Sequence, residues 1–183
     1  KVGDFIVGDW NAPRNRYYKV QEAFGNKYLE TTAGQHVDYF ENMQSLSEEL
    51  GDFSAQFRVK FIDFKDSEWG TLSFYFRTQN VANSYVLWLK NNVIEIVDMD
   101  MTDPEYADLQ YNRKVVGNHT YTFEYRKWYQ INIVSTTVDP FVENDEGTFG
   151  KIKNEIYLNG VKIIDWTDNY SWFQYSGFMF YAW

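Results

Sequence analysis

The sequence predicts an all-β protein, a two-sheet antiparallel β-sandwich built as a single domain over residues 1–183. Three observations lead there. Aromatic residues make up 20% of the chain, with fifteen Phe, fifteen Tyr and seven Trp, and such side chains favour the pleated, half-buried surface of a strand. Several stretches alternate apolar and polar residues with the period of two that gives a strand one buried face. Asn/Gly dipeptides at Gly25-Asn26, Asn91-Asn92, Gly117-Asn118 and Asn159-Gly160 punctuate those stretches where turns are needed. Many short strands with next to no helix must each hide one face, and two sheets packed face to face accomplish that.

Taken in order, Phe5, Ile6, Val7 and Trp10 suggest a short strand before the turn cluster Asn11-Ala12-Pro13. Residues 17–30 read as a hairpin around Gly25-Asn26. His36–Phe40 reads as another short strand, and Glu41–Leu50 has weak helical spacing through Met43, Leu46 and Leu50. The pattern then sharpens. In DFSAQFRVKFIDF, Phe53, Ala55, Phe57, Val59 and Phe61 alternate with Ser54, Gln56, Arg58, Lys60 and Ile62. WGTLSFYFRT repeats the pattern, with Leu72, Phe74 and Phe76 inward and Trp69, Thr71, Ser73, Tyr75 and Arg77 outward. SYVLWLK and VIEIVDMD form a tight pair across Asn91-Asn92. Weaker strands are expected at 109–116 and 120–125, with Gly117-Asn118 as their turn. Trp128–Val138 follows, with Ile131 and Ile133 facing one way and Gln130 and Asn132 the other. An acidic loop then leads to a hairpin turning at Asn159-Gly160, whose type I′ geometry needs the positive φ angles that Asn and Gly accept. YSGFMFYAW closes the chain as a last apolar strand. Trp128, Ile131, Ile133, Ile156, Leu158 and Ile163 are the expected core of this region.

A net charge of −9 argues against nucleic acid, which needs a basic stripe, and against an anionic membrane surface. The lack of cysteine excludes disulfides, thiolate nucleophiles and thiolate metal sites. No apolar run approaches the roughly 18 residues of a membrane-spanning helix. The chain opens on Lys1 without an initiator Met or a signal-like stretch, and is therefore read as one module of a larger protein with covalently linked neighbours.

The order DFSAQFRVKFIDF, WGTLSFYFRTQNVANSYVLWL, KWYQINIV, IYLNGVKIIDWTD and SGFMFYAW resembles the jelly-roll sandwich of the concanavalin-A-like lectin/glucanase superfamily. Within it, the laminin-G-like and carbohydrate-binding-module branch is the nearest in look. The resemblance covers about residues 50–183. It implies a non-catalytic module that binds a poly- or oligosaccharide, in an extracellular or cell-surface setting. It also implies that an arginine after the G-x-x-F-x-F-R strand, here Arg77, faces a concave sheet. A protein-binding or adhesin-like surface module is the alternative, and a glycoside hydrolase a further one.

The residues that would carry such binding are Gln56, Arg58, Tyr75, Arg77, Trp88, Gln130 and Asn132, with Tyr157 beside them. Sugars present flat C–H faces to rings and hydroxyls to planar polar groups, so aromatic side chains interleaved with Arg, Gln and Asn suit them. The same positions are also ordinary solvent-facing strand positions, stabilised by cross-strand pairs. Glu95, Asp98 and Asp100 superficially match the carboxylates of laminarinase-type glucanases. Glu95 and Asp98 are three apart, however, and a regular strand sends them to opposite faces. No catalytic residue is therefore assigned. His36 and His119 sit in no catalytic or metal-binding spacing. Asp98, Asp100 and Asp103 offer the hard oxygen ligands that Ca²⁺ takes, as do Asp139, Glu143, Asn144, Asp145 and Glu146. Modules of the kind this chain resembles often hold a structural calcium, but neither run fits an EF-hand loop, and no cofactor is required.

Overall fold

The computed structural model describes residues 18–23, 26–31, 51–62, 71–80, 83–100, 113–144, 147–171, 173 and 178–182. Eleven strands form within them: β1 Tyr18–Ala23, β2 Asn26–Thr31, β3 Phe53–Lys60, β4 Thr71–Asn80, β5 Asn83–Lys90, β6 Val93–Asp100, β7 Arg113–Thr120, β8 Trp128–Asn144, β9 Gly147–Leu158, β10 Val161–Ser171 and β11 Phe178–Ala182. The expected strands at 5–10 and 36–40 and the helical turn at 41–50 lie outside the described residues.

β1 and β2 make the expected hairpin, with Ala23 opposite Asn26. The other strands form a four-stranded sheet ordered β10-β9-β8-β3 and a five-stranded sheet ordered β11-β4-β5-β6-β7. Each sheet is an antiparallel meander of consecutive strands, β8–β10 in one and β4–β7 in the other, with one outlying strand added beside its first member. This is the two-sheet antiparallel sandwich that the alternation predicts.

The core forms where the inward faces meet. Phe57 of β3 packs on Phe74 of β4 at 4.9 Å between ring centroids, Phe53 meets Phe76 edge-on at 5.9 Å, and Tyr85 of β5 meets Trp166 of β10 at 5.3 Å. Leu87, Leu89, Ile94 and Ile96 from one sheet and Ile131, Ile133, Ile152 and Ile156 from the other complete the cluster. Close packing of rings and branched side chains supplies both the buried apolar area and the dispersion contacts that hold the layers together.

The turn at Asn159-Gly160 has φ of 49° and 83°, as type I′ requires. The Asn159 side chain also accepts a hydrogen bond from Gln130 N at 2.9 Å, tying the turn to β8. Several expectations are corrected. β7 ends at Thr120 and residues 121–127 form no strand, where the sequence suggests one at 120–125. Gly117-Asn118 lies inside β7 rather than at a turn. The glycine serves close packing there, because a Cβ at 117 would come within 2.9 Å of the Cγ2 atoms of both Ile96 and Ile164. The acidic segment after Val138 is mostly ribbon, since β8 continues to Asn144 and pairs with β9 through Glu143–Thr148. Trp128 is 39% exposed rather than core, because it shares the outward parity of Gln130 and Asn132. Near the β10 bulge between Lys162 and Ile164, Ile164 is the buried residue and Ile163 packs against the cluster from its margin.

Candidate functional site

Two sheets have two outer faces, and the candidate residues divide between them. Gln56 pairs with Asn132 and Arg58 with Gln130 across β3 and β8, and Asn132 pairs with Tyr157 of β9. These residues therefore form one contiguous patch on the outside of the four-stranded sheet. Tyr75 pairs with Val86, and Trp88 with Ser73 on one side and Glu95 on the other. They lie on the outside of the five-stranded sheet, across the sandwich from the first patch. Alternation identifies outward positions but says nothing about which sheet a strand joins, so the single face expected from the sequence is two.

Arg77 lies on neither face. Its outward parity is reversed by a φ of 48° in the irregular stretch of β4 after Phe76, and the side chain is fully buried between the sheets. Nε donates to Ser135 Oγ at 2.7 Å, Nη1 to the Phe173 carbonyl at 3.3 Å and Nη2 to Asp52 Oδ1 at 3.0 Å. Asp52 Oδ1 also accepts the Thr137 backbone N–H at 2.6 Å. Burial lowers the Arg77 pKa, and the Asp52 carboxylate opposes that effect. Burial likewise pushes the Asp52 carboxyl up, but the bonds from Thr137 and Arg77 outweigh it and leave the group below its ordinary value. This guanidinium clamps β4 to β8, with its donors engaged by the protein.

The two faces differ in accessibility. On the five-stranded sheet Ser73, Ser84, Val86 and Val97 have no exposed surface, although their parity is opposite to that of the core residues Phe74, Leu87 and Ile96. Trp88 and Tyr75 are half-buried among them. Trp88 has Lys90 Nζ at 4.7 Å and Arg113 Cζ at 5.1 Å from its ring centroid, and Lys90 is ion-paired with Glu95.

The four-stranded sheet is open. Gln56, Arg58 and Trp128 are exposed, and Lys60, Gln130, Asn132 and Tyr157 are half-exposed. Trp128, opposite Lys60 in register, carries Arg58 Cζ at 5.2 Å and Lys60 Nζ at 4.9 Å over its ring. Such contacts hold two flexible cations in place. Farther across the sheet, Lys153 and Lys162 are matched to Glu155 and Asp165 at 2.6–3.5 Å. The arrangement offers two aromatic side chains, three amides and two cations on a rigid pleated surface. Flat apolar faces can lie against the Tyr157 ring and against the part of Trp128 that Arg58 and Lys60 leave uncovered, while the amides exchange hydrogen bonds with hydroxyl groups. Sequence reasoning assigned Trp128 to the core and passed over Lys60. Their shared outward parity with Arg58 and Gln130 was the signal that could have found them.

The acidic candidates do not converge. Glu95 points outward and is ion-paired with Lys90, whereas Asp98 is 6% exposed and shares the inward parity of Ile94 and Ile96. Asp98 lies near enough to Tyr85 to raise its phenol pKa, after the larger effect of burial and together with Asp168. The Tyr85 hydroxyl lies 2.6 Å from both Asp168 Oδ2 and Ser171 Oγ. Facing the core, Asp98 is poorly placed for a calcium loop. Asp103 and the Asp100 side chain lie outside the described residues. No group of three or more His, Asp or Glu side chains is placed to hold a metal among the described residues.

No family model matches the chain, and no curated protein matches it. Among solved structures, the carbohydrate-binding module CBM66 from Bacillus subtilis aligns over 94% of this chain and 89% of that chain, with 16% identity and a TM-score of 0.44. A likeness this distant does not say what the present chain binds.

Proposed function

We propose that this chain is a non-catalytic carbohydrate-binding module that holds a poly- or oligosaccharide on the outer face of its four-stranded sheet. The supporting observation is the open patch in which Trp128 and Tyr157 flank Gln56, Arg58, Gln130 and Asn132. Trp128 and Tyr157 are four residues plus one strand apart, about 14 Å from strand rise and spacing, so an extended ligand can lie along both. A catalytic role draws little support from Glu95 and Asp98, because retaining glycosidases hold two carboxyl groups about 5 Å apart across one cleft and these two face opposite sides of their sheet. A concanavalin-A-like jelly roll, in an extracellular setting with neighbouring domains, accompanies this reading.

Affinity electrophoresis through gels containing a panel of polysaccharides tests it. The wild-type chain is expected to be retarded by at least one of them. Trp128→Ala and Tyr157→Ala are each expected to weaken that retardation by about tenfold, because one lost ring contact is worth roughly 1–2 kcal/mol including its buried area. Folding is checked by circular dichroism. Absence of retardation across the panel, or retardation unchanged in both variants, would refute the assignment.

A further inference from the structure

The cations on this patch indicate which saccharides it takes. We infer that the site is selective for an anionic saccharide, one bearing carboxylate or sulfate groups read by Arg58 and Lys60; this rests on the carbohydrate-binding reading above. The chain carries 26 acidic residues against 17 Lys and Arg, so acidic groups outnumber cations overall. The described lysines near this patch do pair. Lys153 and Lys162 share Glu155 and Asp165, and Lys127 is matched to Glu124. Arg58 and Lys60 form no ion pair among the described residues, and what they contact is the ring of Trp128.

A π face attracts cations without neutralising them. Two like charges two residues apart on one side of a strand, about 6.6 Å by strand rise, repel each other and gain from an anion placed between them. Arg58 presents a planar fork that matches two oxygens of a carboxylate or sulfate, and Lys60 adds a point charge. Gln130, in register with Arg58, and Gln56, on the same face of β3, supply amide groups for adjoining hydroxyls. A neutral sugar would use the rings and amides and bring no charge to Arg58 or Lys60. The overall negative charge does not prevent this, because at physiological salt the screening length is about 8 Å and the nearest charges dominate.

The test is affinity electrophoresis in gels containing polygalacturonate, dextran sulfate or unmodified dextran, each referred to a polymer-free gel. Polygalacturonate tests for a carboxylate and dextran sulfate for a sulfate. At least one is expected to retard the chain about tenfold more strongly than dextran. Raising NaCl from about 0.05 to about 0.5 M should weaken that retardation. Arg58→Gln combined with Lys60→Gln should reduce it by about tenfold or more, since charge-assisted bonds are the stronger ones. Lys114→Gln combined with Lys151→Gln removes the same charge elsewhere and should leave it in place. Equal retardation by dextran, indifference to the Arg58/Lys60 pair, or an equal loss in the Lys114/Lys151 control overturns the inference. Retardation by neutral polysaccharides alone also overturns it while sparing the carbohydrate-binding reading, which falls only if no polysaccharide retards the chain.

Discussion

Arg77 unites three separate parts of the chain through its hydrogen bonds to Asp52, Ser135 and Phe173. A buried guanidinium is costly unless its donors are engaged, and removing it leaves the acceptors stranded. Arg77→Ala is therefore expected to lower stability by about 3–5 kcal/mol in urea unfolding, while the folded fraction keeps its retention on polysaccharide. Asp52 contributes in a pH-dependent way. Its folded carboxyl lies below the ordinary 3.8, so its contribution is present above about pH 3.8 and fades as pH falls through the lower folded value. Because Asp52 is 52% exposed, the pH-dependent part is modest, under about 1 kcal/mol. Asp52→Asn should be less stable than wild type at pH 6, with the gap narrowing as pH falls below about 3.8; urea midpoints measured along that series check it. None of this was legible in the sequence. Alternation put Arg77 outward beside Tyr75, and only the positive φ turns it inward.

At the scale of elements, the sequence was most informative where one residue type had one physical reason to be present. The period-two run from Phe53 to Lys60 gave β3 its inward and outward faces correctly, and Asn159-Gly160 marked its turn because both residues must adopt positive φ. Gly117 misled because glycine has two uses, and here it admits Ile96 and Ile164 rather than bending the chain. Gly117→Ala is accordingly expected to cost about 1–3 kcal/mol through overpacking, measured as a lowered urea midpoint with an unchanged slope. The extended β8–β9 ribbon was hidden for a different reason. Asp and Glu are poor strand formers, yet cross-strand partners such as Asp139 and Lys151 carry the pairing past Val138.

At the scale of the whole molecule, the sandwich was legible but its assembly was not. Residues that look equivalent along the chain, such as Tyr75 and Gln130, end on opposite outer surfaces because β4 and β8 join different sheets. The patch around Trp128 exists only because β3 crosses from the start of the described sandwich to lie beside β8, bringing Arg58 and Lys60 over a tryptophan 70 and 68 positions away.

The same long reach gives the Arg77 clamp a kinetic consequence. Its partners lie 25, 58 and 96 positions away along the chain, so it can close only after both sheets have docked. Interactions absent from the folding transition state govern how fast a protein opens rather than how fast it forms. Stopped-flow unfolding of Arg77→Ala should show most of its lost stability as faster unfolding, by about a hundredfold or more, with a refolding rate close to that of wild type. The clamp therefore sets how long the folded module persists.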